Sequence, residues 1–264
     1  MSIRDQLKKR EQEREERKNQ TQESDLPEGV SRYIQNRELK DGRTFIILDD
    51  PDDWYFYYVH EDSSFSPRET YVKKHSCLHS PRDIHANFEK YARPGKSACP
   101  SCAAGVKRKL YFIVRLFDVE YGTWRVFDTK EFHVLNLIEA YDKIEKTARK
   151  FNKNYSLIGD VVTLRKSDKT FTLESSDFEV PAEMSEKVKA MIDDRPNYTD
   201  LAYFRSVDDV VAIVEEAAEG HADKSALAAF RNQGADAKTD APQGKDDSVK
   251  PIENDGDRLD NLPF

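Results

Sequence analysis

No stretch of this chain approaches the ~18 consecutive apolar residues that a membrane-spanning helix needs, and "MSIRDQLKKREQEREERKNQ" at its start lacks the apolar centre of a secretory signal. The expectation is an intracellular, soluble, cytoplasmic protein with no membrane partner. Cysteine is scarce. Three residues, an odd number, argue against a disulfide framework. The clustered carboxylates and open His/Asp sites that hydrolysis requires are also missing, so a metalloenzyme or nuclease is disfavoured and no catalytic residue is expected. There is no internal repeat. Only 38% of the 264 residues are hydrophobic and 35% are charged, so part of the chain is expected to lie outside any core.

The formal net charge of −8 would ordinarily discourage a nucleic-acid reading, but the charge is segregated. Residues 65 to 130 carry thirteen Lys or Arg against six Asp or Glu, whereas residues 235 to 264 carry eight acids against four bases. Residues 1–25 form a polar arm of both signs, a solvated helix or a disordered segment that could order on a neighbouring molecule. Residues 26–232 form the core, with a metal-binding subdomain at about 60–106. Residues 233–264, rich in Ala, Asp, Gly, Lys and Pro, are a disordered acidic tail.

Within the core, "TFIILDD" and "DWYFYYVH" read as short strands, and "ETYVKKHSC" as the hairpin partner of the second. An irregular stretch with a helical piece near Ile84 to Tyr91 follows. A second hairpin is expected around Tyr121–Gly122–Thr123, and a third turning at Ser167–Asp168. "NLIEAYDKIEKTARKF" repeats apolar residues at Leu137, Tyr141, Ile144, Ala148 and Phe151, a helix with Asn136 as its N-cap. Helices are also expected over 181–191 and 206–218, the second opened by Ser206 with Asp209 three residues on. Five to seven strands with one inserted helix indicate a mainly β fold with α elements. The leading architecture is an OB-type, partly open Greek-key barrel.

"SACPSCAAGVKRKLYFIVR", residues 97–115, raises the question of chemistry. Cys99-Pro100-Ser101-Cys102 lets two sulfurs reach one ion from a tight turn. Cys77 supplies a third sulfur, and His60, His75, His79 or His85 a fourth ligand. A redox pair would need the N-terminus of a helix in a βαβ setting, while the flanks here are irregular and a strand follows. Inert core thiols are the remaining alternative. A closed Cys₃His site has no open coordination position, so one structural Zn²⁺ is expected.

Lys107, Arg108 and Lys109 run into Tyr111 and Arg115. Trp124 and Arg125 lie on the hairpin partner, and Lys73 and Lys74 lead to Cys77. Cations that follow phosphates, interleaved with rings that stack on bases, are what single strands need, although each ring taken alone is more often core than contact. At the chain end, "DRLDNLPF" joins Asp257 and Asp260 to Leu262, Pro263 and Phe264, a handle for a pocket with a basic residue. The acids could also compete for the protein's own basic groove.

The order of a His-ended strand, a Cys-ended partner, "CPSC", "VKRKLYF", a helix, a hairpin and an acidic tail resembles the zinc-containing single-stranded-DNA-binding proteins of T-even phages. The resemblance covers most of residues 45 to 264. It implies an OB fold with a zinc subdomain and the ligand set His60, Cys77, Cys99 and Cys102. It further implies a non-catalytic role in coating single-stranded DNA during replication, recombination and repair, with replication proteins as partners and self-association through the arm. Were the chain phage-encoded, its location would be the host cytoplasm. The tip "DNLPF" is similar to the Pro-Phe end of bacterial single-stranded-DNA-binding proteins, which recruits partner enzymes. The alternatives are a zinc-stabilised protein-interaction adaptor and an RNA-binding protein.

Overall fold

A computed structural model describes residues 26–61 and 74–231. The arm, Lys73 and the tail with its Asp257, Asp260, Leu262, Pro263 and Phe264 tip lie outside the described residues. The short β-branched and aromatic runs form β1 (Arg43–Ile47), β2 (Tyr55–His60), β3 (His75–Ser76), β4 (Arg108–Asp118), β5 (Thr123–Lys130), β6 (Val161–Ser167) and β7 (Thr170–Ser175). Helices are α1 (Phe88–Ala92), α2 (Pro100–Ala103), α3 (Glu131–Ala148), α4 (Ala182–Asp193), α5 (Tyr198–Ala202), α6 (Val207–Glu215) and α7 (Ala228–Arg231). The fold is mixed α and β, with an antiparallel sheet in the order β3-β2-β4-β1-β6-β7 and β5 also paired to β4. Among the described residues this sheet does not close on itself.

The chain divides into two compact units. One takes the residues up to Pro51, Val114–Asp128 and Leu135–Arg195; the other takes Asp52–Ile113, Thr129–Val134 and the residues from Pro196.

In the first unit, β1 pairs with β4 through Phe45↔Asp118 and Ile47↔Leu116, and with β6 through Arg43↔Leu164 and Ile46↔Val161. Ile46, Leu48, Phe117, Val161 and Val188 form a buried cluster, flanked by Met184, Met191 and Ile192 of α4. The third expected hairpin is present. Ser167 pairs with Thr170, and Asp168 takes φ 48°, a left-handed turn conformation that a short polar side chain tolerates.

The long helix starts earlier than its apolar repeat indicates. β5 ends at Lys130 and α3 begins at Glu131, so Asn136 is an interior residue and not the N-cap. Val134 is buried with Leu137 and Tyr141, which extends the helical stripe one turn back. The β-favouring side chains of "EFHVL" concealed that turn. At the other end Phe151 lies past the helix and is 91% exposed, so it does not continue the stripe.

In the second unit β2 is buried along its whole length. Its register with β4, Phe56↔Phe112, Tyr57↔Tyr111, Tyr58↔Leu110, Val59↔Lys109 and His60↔Arg108, divides the side chains between two faces by simple alternation. Phe56, Tyr58, His60, Arg108, Leu110 and Phe112 share one face. Tyr55, Tyr57, Val59, Lys109 and Tyr111 share the other. β3 is only two residues long, pairing His75 with His60 and Ser76 with Val59, so the expected hairpin partner is confirmed only at its last rung. α6 opens with the expected capping box, the Ser206 hydroxyl and the Asp209 carboxylate each accepting the other's backbone N–H. Its Val210 joins Phe56, Tyr58, Cys77, Cys99 and Leu110 in one core cluster. Val211, Ile213 and Val214 join Ala104, Val106, Leu227 and Phe230 in another.

Candidate metal centre and lysine cluster

The Cys-x-x-Cys segment folds as a knuckle. Cys99, extended at φ −163°, caps α2, and Pro100 fills the first helical position, where no intrahelical donor is needed. The chain turns back through Gly105 at φ +74°, a conformation that favours glycine. Val106 N–H then donates to the Ser101 carbonyl at 2.9 Å, which leads into β4. One turn of helix was not expected here, but it lies before an antiparallel strand and not in a βαβ unit.

His60, Cys77, Cys99 and Cys102 meet at this knuckle, with one ligand atom from each all within 4.8 Å of one another. Three of the four are buried and Cys102 is half-buried. Cys77 Sγ lies 3.5 Å from Cys102 Sγ, and His60 Nε2 lies 3.6 Å from Cys99 Sγ and 3.5 Å from Cys102 Sγ. The group could hold one metal ion. His60 Nδ1 sits 3.2 Å from the Val106 carbonyl and 3.3 Å from that of Lys107. Donation there leaves Nε2 as the lone-pair nitrogen facing the sulfurs, which is how backbone carbonyls orient metal-binding histidines. Hydrogen bonds from Cys102 and Cys77, helped by His60, pull the Cys99 thiol well below its usual range despite burial. Hydrogen bonds with Cys102 and Cys99, together with burial, push Cys77 up. Without a cation, the crowded sulfurs favour one thiolate at the expense of its neighbours. A dication removes that conflict.

The other histidines have different roles. His75 stacks on His60 with ring centroids 5.2 Å apart, and its Nε2 shares a 2.8 Å hydrogen bond with the Ser101 hydroxyl between the two cysteines. His79 lies against Tyr91, and the exposed His85 lies 3.8 Å from Asp53.

Of the described residues expected to contact nucleic acid, Lys74, Lys107, Arg108, Lys109 and Tyr111 belong to the second unit and Arg115, Trp124 and Arg125 to the first. Lys107 is exposed, and Arg108 turns to the metal-side face. There its guanidinium carbon lies 3.7 Å from the Tyr58 ring centroid and Nη2 donates to the Tyr91 carbonyl at 2.7 Å. On the opposite face Lys109, Tyr111 and Lys74 come together. Lys74 Nζ lies 4.5 Å from the centroid of the Tyr111 ring, which is itself buried and closed to a stacking base. Two residues that the sequence pattern did not single out belong to this group. Glu61 accepts the Tyr111 hydroxyl at 2.7 Å, and Lys130 lies 3.2 Å from its carboxylate. Ion-pair chemistry at the end of a strand leaves no periodic mark, so only the fold reveals it.

Arg115 and Arg125 are buried in the first unit, away from solvent. Arg115 is 1% exposed, with Nε and Nη2 donating to Asp49 at 2.9 and 2.8 Å and Nη1 donating to the Met191 and Asp194 carbonyls at 2.7 Å. Arg125 is fully buried and is held by Glu38, Asp118 and the carbonyls of Ser31 and Tyr33. Both are interior structural cations, because on a two-sided sheet a run of alternating charge and aromatics sends some of its charge inward. Trp124 is half-buried, with the Arg32 guanidinium 3.9 Å over its ring. Phe132, in the first turn of α3, presents a ring that is 64% exposed and that no motif in the sequence marks.

Among the described residues no helix is long and apolar enough to cross a membrane. Comparisons with protein-family models, with curated proteins and with solved structures find no match.

Proposed function

We propose that the protein is a non-catalytic, sequence-tolerant single-stranded-DNA-binding protein acting in DNA replication and recombination, with an OB-type core braced by one structural zinc ion. The observation that carries this reading is the convergence of Lys74, Lys109 and Lys130 beside Tyr111, on the strand that leaves the Cys/His knuckle. Lysines that follow a phosphate backbone without a base-reading element give salt-dependent, sequence-tolerant binding. The resemblance of the motif order to that of the T-even phage proteins supports the same reading.

Zinc suits the cluster by size. Bonds of about 2.3 Å to sulfur and about 2.0–2.1 Å to nitrogen give tetrahedral edges of roughly 3.8 Å between sulfurs and roughly 3.5 Å between sulfur and nitrogen. The Cys77–Cys102 separation of 3.5 Å and the His60–Cys99 and His60–Cys102 separations of 3.6 and 3.5 Å lie close to those edges, and all four ligand atoms lie within 4.8 Å of one another. Four protein ligands fill the shell, so the ion would hold the knuckle together and activate no water. The tail, with its eight acids and terminal "DNLPF", would compete for the lysines and recruit partner proteins.

The test is fluorescence anisotropy of the full chain with labelled dT oligonucleotides over a salt series, with duplex DNA and RNA as competitors. The expected result is preferential binding to single-stranded DNA that weakens with salt. Removal of residues 235–264 should tighten it at low salt. A preference for duplex, or no binding at low salt, overturns the proposal, and the latter leaves the adaptor reading.

A further inference from the structure

Glu61 stands where three chain segments converge. Its Oε2 accepts the Tyr111 hydroxyl at 2.7 Å and lies 3.5 Å from Lys109 Nζ, while Oε1 lies 3.2 Å from Lys130 Nζ. Lys74 Nζ lies 4.5 Å and Lys130 Nζ 5.9 Å from the centroid of the Tyr111 ring, so both ammonium groups rest near the same aromatic wall. One carboxylate therefore lies among three lysine ammonium groups. The Glu61 side chain is 21% exposed and those of Lys109 and Lys130 are 29% and 36% exposed. Lys74 is exposed as well, so an anion arriving from solvent could reach all three lysines.

A carboxylate and a phosphodiester offer the same chemistry to these donors, two anionic oxygens that accept charge-assisted hydrogen bonds. We infer that Glu61 is an internal occupant of a phosphate cradle built by Lys74, Lys109, Lys130 and Tyr111, and that a backbone phosphate displaces its carboxylate on binding. The inference rests on the single-strand-binding reading for the identity of the ligand, though the cradle itself would take any accessible phosphate. Glu61 then works as a built-in competitor. It prealigns the lysines while weakening capture, so that only a polyanion bound at several points would displace it.

The experiment compares the full-length wild type with Glu61→Gln, Lys130→Gln and Glu89→Gln, the last removing an equal charge at an exposed position of α1. Each is titrated with a labelled dT oligonucleotide and, separately, by calorimetry with inorganic tripolyphosphate. Glu61→Gln keeps an acceptor for Tyr111 and should bind both probes about three- to tenfold more tightly at low salt. Its plot of log K against log salt should steepen by up to about 0.7, because the displaced wild-type carboxylate takes up a cation and offsets the counterion release at one phosphate. Lys130→Gln should weaken both probes and flatten that slope by a similar amount, which keeps the inference testable should Glu61→Gln fail to fold. Glu89→Gln should have a smaller effect than either.

Loss of oligonucleotide binding in every protein, with tripolyphosphate still tighter in Glu61→Gln, refutes the DNA reading and supports the cradle. Oligonucleotide binding with unchanged or weaker affinity of Glu61→Gln for both probes overturns the cradle and spares the DNA reading. An equal gain in Glu89→Gln also overturns the cradle, because the effect would then be net charge alone.

Discussion

Arg115 belongs to the basic run beside the knuckle, yet its geometry makes it a structural element, and the two roles predict opposite results on substitution. Both it and Asp49 are 1% exposed, and the guanidinium meets the carboxylate through two hydrogen bonds. Its remaining N–H groups cap the end of α4 by donating to the Met191 and Asp194 carbonyls at 2.7 Å and the Ile192 carbonyl at 3.3 Å, where the helix dipole also favours a cation. Asp49→Asn leaves the cation buried without its counter-charge, at a cost of about 3–5 kcal/mol. Arg115→Met leaves Asp49 with Arg195 3.5 Å away and also removes the donor from three carbonyls, so its cost should be at least as large. Such a loss is a large fraction of the roughly 5–15 kcal/mol that holds a domain folded. The double variant Asp49→Leu/Arg115→Met buries no unpaired charge and should cost less than the sum of the two single changes. Urea unfolding followed by circular dichroism measures all three, and oligonucleotide anisotropy on the variants that still fold measures the salt slope. A single variant within about 1 kcal/mol of wild type refutes the structural reading. So does an Arg115→Met protein of normal stability whose salt slope falls by about 0.7, because that is the signature of a lost phosphate contact.

If the knuckle holds one zinc ion as proposed, Cys99→Ser is expected to reduce bound zinc well below one per chain and to lower Tm by roughly 5–15 °C, the equivalent of a few kcal/mol. Unchanged zinc content and melting would exclude Cys99 as a ligand. Phe132→Ala, at a 64% exposed ring, should leave the melt within about 0.5 kcal/mol of wild type and weaken oligonucleotide binding by about 1–3 kcal/mol if the ring stacks on a base. Equal affinity removes Phe132 from the interface. For Glu38, burial opposes ionisation, but hydrogen bonds from Arg125 and the Gln35 N–H, with the charges of Arg125 and Arg43, hold its carboxyl below the ordinary range. A depressed carboxyl contributes stability that is fully present above its unfolded value of about 4.3 and is lost as pH falls through the folded value. Wild type should therefore lose stability more steeply than Glu38→Gln below about pH 4.3. Parallel acid limbs in pH-dependent urea titrations would contradict this.

The parts legible in the sequence are those governed by short-range rules. Cys99-x-x-Cys102 fixed the knuckle because its spacing alone permits two sulfurs to share one ion. Ser206 with Asp209, and Ser167–Asp168, announced their cap and turn because the bonds involved are local. What the pattern could not reveal depends on which face a strand shows and what lies across it. Arg115 and Lys109 look alike in "VKRKLYFIVR", but their destinations differ. Lys109 stands opposite Val59 on β2 and reaches Glu61, whereas Arg115 meets Asp49 inside the first unit. The choice of His60 over His75 had the same origin, since the two pair across β2 and β3 and only their ring partners distinguish them. Glu61 and Lys130 are 69 residues apart and carry no common motif.

The alternation of β2 and β4 also links the two candidate sites chemically. His60 and Arg108 lie on one face, Lys109 and Tyr111 on the other, and these residues follow one another along β4 directly after the Val106 and Lys107 carbonyls that orient His60. An ion held by His60 Nε2 would therefore fix the rung at which β4 starts, and with it the register that carries Lys109 and Tyr111 to Glu61. Because a slip of one residue sends every side chain to the opposite face, a metal bound on one side would determine whether the lysines on the other side converge at all. The Cys₃His group and the lysine cluster are in this sense two faces of one strand pair, and the structural role proposed for zinc follows from that register without any direct contact between ion and nucleic acid.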